Sequence, residues 1–156
     1  MLEQTLNEFI VAASTLGYAA GNQKQWKKEA DESTSIFFES GPWNYHDNFF
    51  GGEPYGGRSV IFYDSKPVWM MVYYGLVVDS TKTNEIYRFL RNALKHIPPE
   101  YPFRGPRTYT EYDYIYTNTW TGNLENFSGE EKISYHEREI YFAKYLGGLV
   151  DQQKAI

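Results

Sequence analysis

The sequence predicts an α+β domain, with a mainly antiparallel, strongly twisted sheet of about six to eight strands packed by two helices near 3–16 and 82–97. Three observations lead there. Two segments carry apolar residues at helical spacing. β-rich stretches bounded by Gly, Pro and Asn turn signals fill most of the remainder. Ten Phe, four Trp and fifteen Tyr require a sheet-rich core, a concave aromatic surface, or both.

Leu6, Phe9, Ile10, Ala13 and Leu16 follow the helical period, and Gly17 stands where a left-handed cap would fall. Residues 21–33 are polar and charged around a single Trp26 and read as a loop. Ser35 to Phe50 is β-like and broken by Gly41-Pro42, and the glycine cluster from Gly51 to Gly57 marks a bulged hairpin. Asp64-Ser65-Lys66-Pro67 is a hairpin signal between Arg58–Tyr63 and Val68–Tyr74. The second of those runs is apolar on both faces, as a central strand should be.

Ile86, Phe89, Leu90, Ala93, Leu94 and Ile97 form the clearest helical stripe, stopped by Pro98-Pro99. Four of the seven prolines fall between Pro98 and Pro106, which predicts a stiff connection of one shape. Tyr112, Tyr114, Tyr116 and Trp120 then occupy one side of a period-2 strand. Gly122-Asn123, Ser128-Gly129 and Glu137-Arg138 read as turns between short strands near 124–127, 131–136 and 139–146. The whole chain, 1–156, reads as one domain.

Composition narrows the chemistry. The absence of cysteine excludes disulfides, thiolate nucleophiles and Cys-ligated metals. A net charge of −5 argues against a phosphate-backbone binder, so no direct nucleic-acid partner is expected. Without a long apolar stretch or a basic leader, a cytoplasmic protein with no membrane partner is expected. His46, His96 and His136 are isolated from one another, and no cofactor or metal site is indicated.

The succession Tyr45-His46-Asp47, Phe50-Gly51-Gly52, Pro67-Val68-Trp69, Tyr73-Tyr74-Gly75 and Phe103-Arg104-Gly105-Pro106 resembles an uncharacterised bacterial domain-of-unknown-function family. Members of that family often follow an XRE-type helix-turn-helix module. The resemblance spans roughly residues 6–150 and implies, by association, a sensing or binding role.

Candidate sites follow from residue type. Trp43, Tyr45 and Tyr74 can supply aromatic walls, Glu53 a carboxylate acceptor, and Arg104 a cation on a proline-stiffened loop. The ordinary alternative for Arg104 is a structural ion pair with Glu100 or Glu111. The basic residues Arg88, Arg91 and Lys95 read as a solvated helix face. The leading expectation is noncatalytic binding of a small polar or aromatic ligand, or of a protein partner. Next come a hydrolase using Asp47 and Glu53 as paired carboxylates, and a structural homodimer.

Overall fold

In a computed structural model, which describes residues 2–17, 26–78 and 80–152, the chain forms one open antiparallel sheet of nine strands with two helices. A helix, α1 (Leu2–Leu16), is followed by a meander of β1 (Lys27–Lys28), β2 (Thr34–Ser40), β3 (Trp43–Phe50), β4 (Tyr55–Tyr63) and β5 (Lys66–Val77). A 3-10 turn at Ser80–Lys82 leads into α2 (Thr83–Leu94). A second meander then runs through β6 (Thr108–Glu111), β7 (Tyr114–Asn123), β8 (Asn126–Tyr135) and β9 (Arg138–Leu149). The spatial order is β1-β2-β3-β4-β5-β9-β8-β7-β6. Two helix-plus-meander halves thus meet along β5 and β9, and the doubly apolar run at Val68–Tyr74 lies at the centre of the sheet.

Both helices cover the same face. Trp69, Met71, Tyr73 and Val77 alternate along β5, and their neighbours Ala143, Tyr145 and Tyr141 alternate along β9 in the matching register. The stripe Leu6, Phe9, Ile10 and Ala13 of α1 packs on Trp43, Ile61, Trp69 and Met71. The stripe Ile86, Phe89, Leu90, Ala93 and Leu94 of α2 packs on Val77, Ile133, Tyr141 and Ala143. Each fully buried side chain of this size contributes about 1.5–3 kcal/mol. The other face is open, leaving Val72, Tyr74 and Leu146 exposed.

Turn chemistry fixes several registers. Gly41, at φ 58°, and Pro42 close the β2–β3 hairpin, while Asp64 and Ser65, both at positive φ, close β4–β5. Other expectations are corrected. The strand count of six to eight rises to nine because Lys27–Lys28, within the expected loop, pairs with β2 as a short charged edge. Residues 21–25 of that loop lie outside the described residues. Tyr112 does not share a strand side with Tyr114. It sits at φ 55° in a two-residue turn with Asp113, which splits off β6 as a separate strand.

Ser128-Gly129 is no turn but the interior of β8. A methyl group on Gly129 would stand 2.2 Å from the Tyr145 ring, so the glycine makes room for an aromatic. The expected strands at 124–127 and 131–136 merge accordingly, with Leu124-Glu125 and His136-Glu137 as the turns. Gly17 ends α1 by donating to Ala13 O at 2.8 Å, but it is not among the positive-φ glycines. α2 stops at Leu94 rather than 97. His96 N–H bonds Ala93 O, tightening the last turn because Ile97, ahead of Pro98, is kept out of helical conformation.

Candidate functional site

Between the two helices the covered face opens into a cavity of about 640 Å³, a size suited to a small ligand. One wall is the Ile10, Ser14 stripe of α1, and the opposite wall is Asn84, Tyr87, Arg91 and Leu94 of α2, each set at i, i+3 or i+4 spacing. The floor is Tyr45 and Asp47 from β3, Ser59 from β4, and Trp69, Met71 and Tyr73 from β5. The β3–β4 connection contributes Gly51, Gly52 and Glu53, and the proline-rich connection contributes Pro102 and Arg104.

Strand register places a carboxylate on that floor. Asp47 lies directly opposite Ser59, and the Ser59 hydroxyl donates to Asp47 Oδ1 at 2.9 Å. The Tyr73 hydroxyl donates to the same oxygen at 2.7 Å. Because the Ser59 proton is committed to Asp47, the 3.3 Å contact between Tyr45 and Ser59 runs with Tyr45 as donor. Two hydroxyls therefore donate to Oδ1, and a third backs the Ser59 donor. Burial pushes the Asp47 carboxyl up from the usual range, while the hydrogen bonds from Tyr73 and Ser59 and the charges of Arg104 and Arg58 act against that rise. Burial likewise pushes the Tyr73 and Tyr45 hydroxyls up, and the Asp47 charge adds to it.

This burial has a consequence for stability. With its pKa raised on folding, Asp47 binds more proton in the folded than in the unfolded chain, so its contribution to stability is lost as pH rises above about 4 through the folded pKa. Asp47→Asn keeps an acceptor for Ser59 and Tyr73 and removes the titration. The variant is expected to gain stability relative to wild type as pH rises from about 4 to 7. Urea melts of both proteins across that range check it, and a constant difference would refute it.

A second polar centre is built around Arg104. Arg104 Nε donates to Glu131, whose other oxygen accepts from the Tyr116 hydroxyl at 2.5 Å. Arg104 also reaches the Tyr55 hydroxyl at 3.3 Å and lies over the Tyr73 ring at 5.3 Å. The Tyr55 and Tyr141 hydroxyls are 2.5 Å apart. Gly75 accommodates this arrangement, since a methyl group there would come within 2.7 Å of the Tyr55 hydroxyl.

Arg104 holds a left-handed φ of 71°, and its loop is clamped on both sides. Asn118 Nδ2 donates to Phe103 O at 2.8 Å and to Gly105 O at 3.0 Å, while Phe103 stacks on Phe127 at 4.2 Å. Tyr145 holds Asn118 in turn, donating to Oδ1 at 2.7 Å.

Of the residues singled out from sequence, Tyr45, Glu53 and Arg104 line the cavity, as does Asp47. Glu53 accepts Val77 N–H on Oε1 at 2.7 Å and the Tyr87 hydroxyl on Oε2, so both its oxygens are engaged. Trp43 sits instead in the α1 core, stacked on Phe9 at 5.5 Å and edge-on to Tyr63. Tyr74 points to the open face, because neighbouring strand residues alternate and Tyr73 takes the inner side. The acidic partner of Arg104 is neither Glu100 nor Glu111 but Glu131.

Arg91, expected on a solvated face, lines the α2 wall. Its spacing of four from Tyr87 was the available signal. Asn118 and Glu131 carried none, since each lies in a strand among ordinary polar residues. Among the described residues, no three His, Asp or Glu side chains are grouped to hold a metal ion. No described helix is long and apolar enough to cross a membrane.

The domain-of-unknown-function family DUF5680 matches residues 47–150. The chain belongs to this family. The DUF5680 match begins at Asp47 and takes in Glu53, Tyr73, Arg91, Arg104 and Glu131, while α1, β1 and β2 lie before it. No curated protein and no solved structure matched the chain.

Proposed function

We propose that this DUF5680 chain is a noncatalytic binding or sensing module of the cytoplasm that takes a small polar or aromatic ligand into the cavity between its helices. One observation carries the reading: an aromatic-lined space of about 640 Å³ with a buried carboxylate on its floor. Burial of Asp47 weakens folding, and unfavourable placement of this kind concentrates at functional sites. The hydrolase reading draws support from Asp47 and Glu53 facing one cavity. Glu53 is held in place by Val77 and Tyr87 and serves the fold through both its oxygens, which favours binding over catalysis.

The test is obstruction. Ser14 is half-buried on the α1 wall, and Ser14→Trp should fill the cavity from its side. Calorimetry with amines, amino acids, nucleotides and sugars is expected to detect a compound that binds wild type and loses at least about tenfold in affinity, roughly 1.4 kcal/mol, in the variant. Absence of any binder, or binders indifferent to Ser14→Trp, would refute the reading.

A further inference from the structure

We infer that the cavity selects an organic cation, a protonated amine or amidine carried on a flat apolar body, with its charged head on Asp47. The inference rests on the small-ligand reading above and names the class of ligand.

Hydrogen-bond direction is the first support. Ser59 and Tyr73 both donate to Asp47 Oδ1, and Tyr45 donates to Ser59, so two hydroxyls point their positive ends at this carboxylate and a third backs one of them. Such an arrangement stabilises negative charge on Asp47. Both hydrogen bonds fall on Oδ1, which leaves Oδ2 as the oxygen available to a guest. A neutral acceptor in the ligand would meet only a carboxylate that accepts. A donor bearing positive charge satisfies Oδ2 and neutralises the buried charge at once.

Charge accounting is the second support. Arg104 and Arg58 are the cations that act on Asp47. Arg104 is already matched, because Nε is bonded to the fully buried Glu131, and its guanidinium is further occupied by the Tyr55 hydroxyl. Its charge is thus balanced and its Nε is taken, so the guanidinium cannot offer an anion the bidentate grip that its position in the sequence suggested. With Arg104 and Glu131 cancelling and Arg58 acting only through its charge, Asp47 is the carboxylate of the cavity floor that has no ion pair among the described residues.

The walls are the third support. Tyr45, Tyr73, Trp69 and Phe49 line the same cavity as the carboxylate, and ring faces attract cations that have shed water. A carboxylate among aromatic faces suits an amine on an aromatic or extended apolar frame, and it opposes an anion twice over.

Matched probes separate the classes. Tryptamine, the neutral tryptophol and the anionic indole-3-propionate share one ring system, and benzamidine adds a second cation. Arg91, on the α2 wall, is the group an anionic guest would use. Titration at neutral pH is expected to show tryptamine or benzamidine binding wild type at least about tenfold more tightly than tryptophol. Asp47→Asn, which keeps the shape and both acceptor contacts, should erase that preference, weakening the cations by roughly tenfold to a hundredfold and leaving tryptophol unchanged.

The inference is overturned if indole-3-propionate or tryptophol binds as tightly as the cations, or if the cations bind Asp47→Asn as they bind wild type. Loss of those ligands in Ser14→Trp would then show that the small-ligand reading survives with a different class. If none of the four probes binds while another compound is displaced by Ser14→Trp, the cation assignment alone fails.

Discussion

Arg104→Met is expected to lower stability by about 3–5 kcal/mol, because it leaves Glu131 as a buried charge without its cation. Glu131 is fully buried and Arg104 nearly so, with side chains 0% and 9% exposed. At such a site a charge without its partner can be relieved only by taking up a proton or by admitting water. The Tyr116 hydroxyl still donates to Glu131 in the variant, but one neutral donor does not replace a guanidinium.

The double variant Arg104→Met, Glu131→Gln separates charge from packing. It retains an acceptor for Tyr116 and removes both charges, so it is expected to recover most of the loss. Urea unfolding at neutral pH of wild type, both single variants and the double variant completes the cycle. A single-variant cost below about 1 kcal/mol, within the range of exposed ion pairs, would show that the pair does not hold the loop.

Leu90→Ala is expected to cost about 2–5 kcal/mol. Leu90 is fully buried in the cluster formed by Ile86, Phe89, Ala93 and Leu94 with Val77, Ile133 and Tyr141. Removing its branched end loses transfer free energy and leaves a void that a helix anchored at both ends cannot close. Arg88, exposed on the opposite side of α2, is the control, and Arg88→Ala should stay within about 0.5 kcal/mol of wild type. Because Tyr87 and Arg91 lie on the same helix, loosening α2 should also weaken any ligand held against its wall. Thermal melts with and without ligand measure both effects. A Leu90→Ala cost under about 0.5 kcal/mol would place that residue on the wrong face of the helix.

Much of the fold could be read without coordinates, and for a common reason. The α2 stripe, the turns at Gly41-Pro42 and Asp64-Ser65, and the central position of Val68–Tyr74 all depend on residues within one or two turns or strand repeats of each other. Periodicity and turn chemistry act at that range, so they are written locally. Where local signals misled, a distant neighbour had overridden them. Gly129 resembles a turn residue next to Ser128, yet it is a strand residue whose missing side chain is filled by the Tyr145 ring. Lys27–Lys28 resembles solvated loop, yet backbone pairing needs no apolar side chain at a sheet edge.

The candidate site divides along the same line. Sequence by itself determined that the chain is rich in tyrosine, that Arg104 stands on a stiff connection, and that Asp47 and Glu53 flank a glycine turn. Only the tertiary structure decided that Tyr73 rather than Tyr74 faces the cavity, that Arg104 is taken by Glu131 twenty-seven positions away, and that Asn118 grips the backbone on either side of it. It also decided how three buried tyrosines keep a hydrogen bond: Tyr73 is satisfied by Asp47, Tyr116 by Glu131 and Tyr145 by Asn118. A buried polar group must find a partner of the right kind, but strand register and helix placement choose which one. Those are fixed only when the two meanders join along β5 and β9.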